Sequence, residues 1–270
     1  MPEGHTLHRL AAEIAERFGG DAVRFSSPQG RFAADAAAID GRLLVGAEAW
    51  GKHLLLDVDD ELWVHVHLGI FGRFTFGGPP APDVVGQVRL RMVGPRAWAD
   101  LRGPNACRLL DASQRKGLLG RLGPDPLRDD AHPERAWQRI SRSRTPIATL
   151  LMDQSVVAGA GNIYRAEVLF RHGLDPMLPG RRLSHEAWTA LWDDLRYLMR
   201  DGVRVGRIDT VRPEHDPEVV GRAPRVDRHG GEVYVYRRAG QACHVCGTPV
   251  ATKELAGRNL FWCPTCQPPA

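Results

Sequence analysis

Hydrophobic spacing divides the chain into a first part that predicts strands and a second part that predicts helices. Residues 4–18 form an amphipathic pattern with period 3.6 that ends at Gly19-Gly20. Two alternating runs, 54–58 and 62–68, face each other across Asp59-Asp60-Glu61 as a hairpin. Further strands are expected at residues 73–76, 87–92, 97–100 and 108–110. Short strands at this spacing indicate a β-sandwich or a flattened barrel.

The second part of the chain begins after a Gly- and Pro-containing segment, residues 122–127, which predicts a rigid linker and a domain boundary. Helices are expected at residues 132–141, 146–154, 163–172 and 184–200, the last with Ser184 as N-cap. The polar stretch 202–228 is too long for an idle loop, so function or disorder is expected there. The predicted fold is α+β and multidomain, with domains at 1–124, 125–238 and 239–270.

Composition is that of an ordinary soluble globular protein, with 43% hydrophobic and 25% charged residues in 270. No apolar run reaches about 18 residues and no signal pattern opens the chain, which predicts a cytoplasmic monomer without membrane contact. The net charge of +4 permits a polyanionic partner. Lys52, Lys116 and Lys253 are the only lysines among 36 basic residues, which makes each a candidate for a role that arginine cannot fill.

Four cysteines near the end of the chain have the spacing of a zinc site. They form two pairs, Cys243-His244-Val245-Cys246 and Cys263-Pro264-Thr265-Cys266, with sixteen residues between them. Disulfides are the alternative, but a cytosolic setting disfavours them. Four sulfur ligands leave no open position, so one structural Zn²⁺ is expected. It would hold a hairpin of residues 250–253 and 260–262, with Arg258 near the tip as a phosphate contact.

Three other features carry candidate chemistry. If Met1 is removed, the amine of Pro2 becomes a nucleophile with a pKa near ~8, next to the Glu3 carboxyl group as a possible general acid. In residues 150–164 a helix runs into a glycine-bearing turn with Asn162 as the cap of the next helix, a suitable phosphate site. His65 and His67 share a strand face and could clamp a metal, although no third ligand is evident and a structural role is favoured. Cys107 is expected to be a small buried residue.

Together these residues resemble the formamidopyrimidine-DNA glycosylase/endonuclease VIII family over essentially the whole chain. The ordered motifs are Pro2-Glu3-Gly4, Gly51-Lys52-His53-Leu54-Leu55, His67-Leu68-Gly69, Leu122-Gly123-Pro124-Asp125-Pro126-Leu127, Gly159-Ala160-Gly161-Asn162-Ile163-Tyr164 and the cysteine pairs. The resemblance implies an N-terminal β-sandwich, a helical domain with a helix-two-turn-helix motif, and a zinc finger. It also implies that damaged DNA binds in the cleft between the halves.

The resemblance also implies a role for each matching residue. Pro2 would attack C1′ of the damaged nucleotide while Glu3 acts as general acid and base. Lys52 would contact a phosphate beside the sugar, and Asn162 and Arg258 would grip phosphates that flank the flipped nucleotide. Ile70 and Phe71 would fill the space that the flipped base leaves, unless Phe71 belongs to the core. The resemblance thus implies two overlapping sets of residues. The catalytic residues are Pro2, Glu3, Lys52 and Arg258, and the DNA-binding residues are Lys52, Ile70, Phe71, Asn162 and Arg258.

One departure from the family pattern concerns the site, and one likeness within the family concerns the substrate. Many relatives carry Pro-Glu after the opening tripeptide, whereas this chain has His5-Thr6, so the helper carboxylate is missing. The opening tripeptide and residues 206–236 are closer to endonuclease VIII than to the oxidised-purine branch, which predicts oxidised pyrimidines as substrates. The alternatives are an 8-oxoguanine and formamidopyrimidine glycosylase, a relative that binds lesions without cutting, and a non-catalytic zinc-finger DNA-binding protein.

Overall fold

The computed structural model describes residues 2–59, 61–226 and 231–269, in two compact units, Met1–Arg121 and Leu122–Ala270. The expectations that fall on Met1, on Asp60 and on residues 227–228 lie outside the described residues. The predicted linker is a packed segment and not an exposed connection, because residues 122–126 are buried. Within it, the Gly123 N–H donates to the carbonyl oxygen of Gln154 at 2.9 Å, so this segment packs as part of the second unit.

The first unit contains two four-stranded antiparallel sheets. In chain order the strands are β1 Arg24–Ser26, β2 Leu44–Trp50, β3 His53–Val58, β4 Leu62–His67, β5 Arg73–Gly77, β6 Leu90–Val93, β7 Trp98–Arg102 and β8 Ala106–Leu110. One sheet has the order β1-β6-β7-β5 and the other has the order β2-β3-β4-β8. The helices are α1 Gly4–Phe18, α2 Ala33–Ile39 and α3 Ala112–Leu119.

The core of this unit is one cluster to which α1 and both sheets contribute, as expected of a β-sandwich. On α1, Leu7, Ile14 and Phe18 are at most 1% exposed, which fixes the start of the chain on a packed element. Strand β3 is buried on both faces, because Leu54 and Leu56 enter this cluster whereas Leu55 packs under α3 with Leu118.

The second unit is built on α4 Pro133–Ile140, α5 Ile147–Leu150, α6 Asn162–Arg171, α7 His185–Val205 and α8 Pro217–Val220, followed by the hairpin strands β9 Ala251–Leu255 and β10 Arg258–Trp262. Single 3-10 turns lie at Gly180–Arg182 and Pro213–His215. Ser184 caps α7 as predicted, accepting a hydrogen bond from the Ala187 N–H at 3.1 Å. No helix in the described part of the chain is long and apolar enough to cross a membrane.

Two predicted boundaries in this unit are wrong. The helix expected to reach residue 154 ends at Leu150, because Asp153 Oδ1 accepts the Ser155 N–H at 2.8 Å and turns the chain. Helix α7 continues five residues past the predicted end and stops at Gly206, which takes the left-handed conformation at φ 77°. The expected polar loop is therefore shorter, and α8 and a 3-10 turn interrupt it.

Candidate active site and phosphate-binding residues

The N-terminus is anchored by the first residues of α1. Glu3 is the N-cap residue and 0% exposed, Pro2 is half-buried, and the Glu3 carbonyl oxygen accepts the Thr6 N–H at 2.9 Å. Because α1 is packed on the core along its length, the amine and the carboxyl group beside it are held in place. This is the arrangement that a terminal nucleophile requires.

The two residues that depart from the family pattern form a neutral pair. His5 Nε2 lies 3.2 Å from the Thr6 hydroxyl, and the His5 ring is 6% exposed. Burial, followed by the positive charges of the N-terminus and Arg9, lowers the pKa of His5 to about 4. The imidazole is therefore uncharged at neutral pH. A hydroxyl and a neutral ring thus occupy the positions where relatives carry proline and glutamate.

Lys52 lies in the two-residue turn between β2 and β3. Trp50 pairs with His53, and Gly51 between them has φ 58°, the left-handed conformation that this kind of hairpin turn uses. The Lys52 ammonium group is close enough to His53 and His67 to contribute to the lowering of the pKa of both rings, for which burial is the larger cause. The turn between β2 and β3 therefore places Lys52 next to a group of histidines.

That group of histidines is ordered by a chain of hydrogen bonds across three strands. Arg108 Nε donates to His65 Nδ1 at 3.3 Å, so the neutral His65 ring carries its proton on Nε2. His65 Nε2 lies 2.9 Å from His53 Nδ1, and the His53 ring is 5.2 Å from the His67 ring. Burial first, and neighbouring positive groups second, lower the pKa of His53 to about 4 and that of His65 to about 3.

Sequence analysis missed His53 as a third imidazole beside His65 and His67, although the pairing of β3 with β4 requires it. The cluster does not form a metal site. Within the described residues, the group of three or more potential ligands that could hold an ion consists of the four cysteines. His65 is instead hydrogen-bonded to His53, and the His67 ring packs against the His53 ring, which agrees with the favoured structural role.

The loop after β4 exposes two large apolar side chains. Ile70 is 59% exposed and Phe71 is 81% exposed, so the alternative that Phe71 belongs to the core is wrong. Gly69 has φ 66°, and a Cβ atom there would lie 2.2 Å from the Asn105 side chain. Gly72 closes the loop with a hydrogen bond from its N–H to the Leu68 carbonyl oxygen at 3.0 Å. The exposed pair thus sits on a tightly constrained loop.

In the second unit, Asn162 does not cap α6. The N-cap is Gly161, and Asn162 is the first helical residue. Its side chain is 7% exposed and bonds across the unit instead, since Nδ2 donates to the Asn259 carbonyl oxygen at 3.0 Å. Arg165, one turn later and 1% exposed, donates to both the Asn162 Oδ1 and the same carbonyl. The cap prediction failed because Asn162 is already helical, and its Oδ1, the atom that a cap would use as acceptor, accepts from Arg165 instead.

This contact brings two predicted phosphate ligands together, because Asn259 follows Arg258 at the start of β10. The hairpin turn is Ala256-Gly257, with φ values of 50° and 71°, and Leu255 pairs with Arg258. Both turn residues are left-handed, as in a type I′ turn. Arg258 is exposed at the end of the hairpin, as predicted, and the hairpin is longer than expected.

The turn before α6 depends on Gln154, which sequence analysis did not identify. Its Oε1 accepts the Gly159 N–H at 2.9 Å, and its Nε2 donates to the carbonyl oxygens of Met152 and Ala160 at 3.1 and 2.9 Å. Gly159 has φ 92°, which explains the glycine at this position. One amide side chain therefore bonds to three backbone groups of the turn.

A second missed residue, Glu167 on α6, organises the polar segment that follows α7. The carboxylate is 0% exposed and accepts three successive backbone N–H groups, from Tyr234, Val235 and Tyr236, at 2.6 to 2.9 Å. It also accepts the Thr210 hydroxyl at 2.7 Å. A single buried charge therefore fixes both ends of the segment to α6. Sequence analysis had no signal for this, because its partners are backbone groups 43 to 69 residues away.

The four cysteines form a metal site, as predicted. Their sulfur atoms lie within 4.8 Å of one another, with Cys243–Cys266 at 3.9 Å and Cys246–Cys263 at 3.4 Å. Four sulfurs at about 2.3 Å from one zinc ion would be about 3.8 Å apart, so the residues fit a tetrahedral Zn²⁺. None of the cysteines is in a disulfide, which rules against the alternative within the described residues. The site holds one structural zinc.

Comparison with known proteins identifies the family. Residues 1–107 match the formamidopyrimidine-DNA glycosylase N-terminal domain, 122–213 its H2TH domain, and 240–269 a zinc finger found in FPG and IleRS. Endonuclease 8 1 of Mycobacterium tuberculosis is 52% identical over 99% of this chain and 100% of its own. The chain belongs to the formamidopyrimidine-DNA glycosylase/endonuclease VIII family. It is a DNA-binding glycosylase and AP lyase of base-excision repair, not a zinc-finger protein without enzymatic activity.

Other relatives agree with this assignment. Formamidopyrimidine-DNA glycosylase of Thermosynechococcus vestitus is 34% identical over 82% of this chain and 79% of its own. The crystal structure of the MutM (Fpg) protein from Thermus thermophilus has a TM-score of 0.77 at 25% identity, covering 98% of both chains. MutM in complex with DNA containing carbocyclic 8-oxo-G has a TM-score of 0.80 at 22% identity, covering 99% of this chain, and supports the fold.

Proposed function

We propose that this enzyme removes oxidised pyrimidines through a Schiff base on Pro2 and then nicks the strand by β,δ-elimination. The observation that carries the proposal is the position of Glu3, wholly buried at the N-cap of a packed helix and directly next to the terminal amine. A secondary amine held there needs only the removal of Met1 to become a nucleophile. The adjacent carboxyl group is then its proton donor and acceptor.

In the proposed reaction the Pro2 nitrogen attacks C1′ of the flipped nucleotide. Glu3 protonates the ring oxygen of the sugar as the ring opens and the base departs, leaving an iminium on C1′. Loss of a proton from C2′ then expels the 3′ phosphate, and a second elimination expels the 5′ phosphate. The neutral His5 and Thr6 pair adds no charge beside the amine, so Glu3 is the one carboxyl group assigned to these proton transfers.

The DNA contacts follow from the same assignment. Lys52 contacts the phosphate beside the attacked sugar. Asn162 and Arg258, which the Asn259 contact links, bind the phosphates that flank the flipped nucleotide. Ile70 and Phe71 enter the base stack, since they are exposed on a constrained loop and apolar wedges of this kind insert between bases.

The test of the chemistry is borohydride trapping of the full-length protein on DNA with an abasic site. The protein with a free Pro2 terminus should form a covalent adduct, whereas a matched protein that retains Met1 should form none and should still bind the DNA. A Met1-retaining protein with undiminished trapping would rule out Pro2. Glu3→Gln should lower base excision by at least tenfold more than it lowers cleavage at a preformed abasic site, because only excision needs the leaving base to be released.

Two observations support oxidised pyrimidines as the substrates. The relative with 52% identity carries the name endonuclease 8. In addition, Thr210 is 1% exposed and bonded to Glu167, so this stretch of the 206–236 segment is packed on α6 and is not available to close over a purine. A ring-saturated pyrimidine stacks poorly and is easier to extrude than a purine.

Single-turnover excision on matched duplexes tests the preference. Thymine glycol and 5-hydroxyuracil should be released at least tenfold faster than 8-oxoguanine opposite cytosine. Faster release of 8-oxoguanine would reverse the substrate assignment in favour of the oxidised-purine alternative. The trapping result would not change, so the two parts of the proposal can fail separately.

A further inference from the structure

A basic cavity of about 350 Å³ lies in the second unit, outside the residues assigned to the reaction or to the lesion phosphates. It is formed by residues 222–226 and by the residues that lead into the first cysteine pair. Four of its lining residues are arginines, namely Arg222, Arg225, Arg237 and Arg238. The polar segment after α7, which sequence analysis marked as too long to be idle, therefore forms one wall of this cavity.

The arginines are only partly balanced by negative charge. Arg222 Nη2 forms an ion pair with Glu232 Oε2 at 2.6 Å. Arg238 is 6% exposed and bonds to backbone carbonyl groups, those of Tyr234 and Ala242, instead of to a carboxylate. Burial lowers the pKa of Arg238; Glu167 opposes this shift, and the smaller effects of Arg222 and Arg225 add to it. These guanidinium groups are therefore close enough to repel one another, an arrangement that an anion would relieve.

The zinc site accounts for one of these arginines. Arg238 Nη2 donates to the Ala242 carbonyl at 2.7 Å and lies 3.3 Å from His244 Nδ1, so it is tied to the loop between Cys243 and Cys246. A zinc ion with four thiolates carries two negative charges, which Arg238 can offset. We therefore leave Arg238 out of the ligand site.

Arg237 has a different environment, and its backbone gives the second observation. It has φ 55°, the left-handed region in which glycine is the least costly residue. The side chain is exposed, and its guanidinium carbon lies 5.4 Å over the Tyr236 ring. Backbone strain of this kind clusters at ligand sites, and Arg237 is one of the residues that line the cavity.

We propose that this cavity binds the phosphate group of a nucleotide, with Arg237 as its main ligand. Guanidinium groups match the oxygens of a phosphate in pairs. The volume lies at the lower end of ligand pockets and exceeds the need of a single ion, which favours a nucleotide unit over free phosphate. The nucleotide is either part of a DNA strand beyond the lesion site or a free mononucleotide.

Arg237→Gly is the decisive variant, because it removes the guanidinium and relieves the backbone strain together. Its melting temperature should stay within about 3 °C of the wild-type value. Calorimetric titration of the zinc-loaded, full-length protein with dAMP and with inorganic phosphate is the measurement. Arg204→Ala is the matched control, since it removes the same charge from an exposed position of the same unit, where Arg204 pairs with Asp201.

Salt dependence separates the two sources. If DNA occupies the cavity, Arg237→Gly should reduce the slope of log affinity against log salt on an undamaged 24-base-pair duplex by about one, and Arg204→Ala should not. If a free nucleotide is the ligand, the slope stays unchanged and affinity for dAMP falls at least tenfold in Arg237→Gly alone. Equal dAMP affinity together with an equal salt slope for wild type and Arg237→Gly would overturn the proposal.

Discussion

The two units differ in the polar side chains that they bury close to their predicted functional residues. Near the predicted nucleophile and Lys52, the first unit combines the fully buried Glu3 with several histidines. Burial is the main cause that lowers the pKa values of His5 and His53 to about 4 and that of His65 to about 3. In the second unit, helix α6 begins at the predicted phosphate ligand Asn162 and buries a glutamate and an arginine. Glu167 and Arg165 are at most 1% exposed, and each is held by several hydrogen bonds.

The difference suits the tasks proposed for each unit. Because His5 and Thr6 are uncharged at neutral pH, they add no negative charge that would hold the terminal amine in its protonated form. A surface that binds phosphates needs positively charged side chains in fixed positions. The residues that position those side chains must themselves be held by several contacts. Each unit should therefore be sensitive to a different change. The first should respond to pH, and the second should respond to the loss of a single charged group.

The largest effect is expected from Glu167→Gln. The amide keeps the shape of the side chain, but it has no second acceptor oxygen and it turns an NH₂ group toward backbone donors. We expect a loss of about 3 kcal/mol in the local opening free energy, equivalent to about a hundredfold loss of hydrogen-exchange protection at Tyr234, Val235 and Tyr236. Mass-spectrometric or NMR exchange on the zinc-loaded protein measures this directly.

Glu186→Gln is the control for that experiment, because Glu186 lies on an exposed part of the first turn of α7. It should change stability by no more than about 0.5 kcal/mol. Unchanged protection at residues 234–236 in Glu167→Gln would show that the carboxylate does not organise the segment. The proposed role of Glu167 in the second unit would then have to be given up.

The second-largest effect is expected in the pH dependence of the stability of the first unit. Because the histidine pKa values lie below the unfolded value of about 6.5, the unfolded chain binds more protons between pH 4 and 6.5. Stability should therefore fall as pH falls through this window, by up to about 1.4 kcal/mol per pH unit for each histidine. His65→Gln should make the slope shallower, measured as urea midpoints at pH 7 and pH 4.5.

The second unit supplies the internal reference. Burial opposes ionisation of Asp194, but hydrogen bonds from His172 and Arg171 outweigh it and lower the pKa to about 2. That carboxylate keeps its charge and its contribution throughout the same window, since its stabilisation is lost only below the unfolded value of about 3.8. An unchanged pH slope in His65→Gln would contradict the predicted pH response of the first unit.

The same comparison explains how much the sequence could predict. Helix α1, the β3–β4 hairpin and the cysteine site follow from local spacing, and all three were predicted. Strand β2 was missed because Gly46, Ala47 and Ala49 have low strand propensity, and pairing with β3 supplies what propensity does not. The roles of Gln154 and Glu167 depend on backbone groups brought from elsewhere in the chain, which no local pattern records.

Of these variants, Arg258→Ala should have the smallest effect. It tests directly whether the second unit holds a phosphate ligand in a fixed position. Asn162 fixes β10 through the Asn259 carbonyl, so Arg258 presents its guanidinium from a positioned strand. If it contacts one phosphate, the slope of log affinity against log salt should become shallower by about one, with zinc content unchanged. Lys253→Ala is the matched control on the same hairpin, because Lys253 Nζ lies 5.7 Å over the Trp262 ring and its removal subtracts the same charge. Equal slopes for both variants would mean that Arg258 acts only through the general field of the hairpin, and the fixed contact inferred from Asn162 and Asn259 would have to be given up.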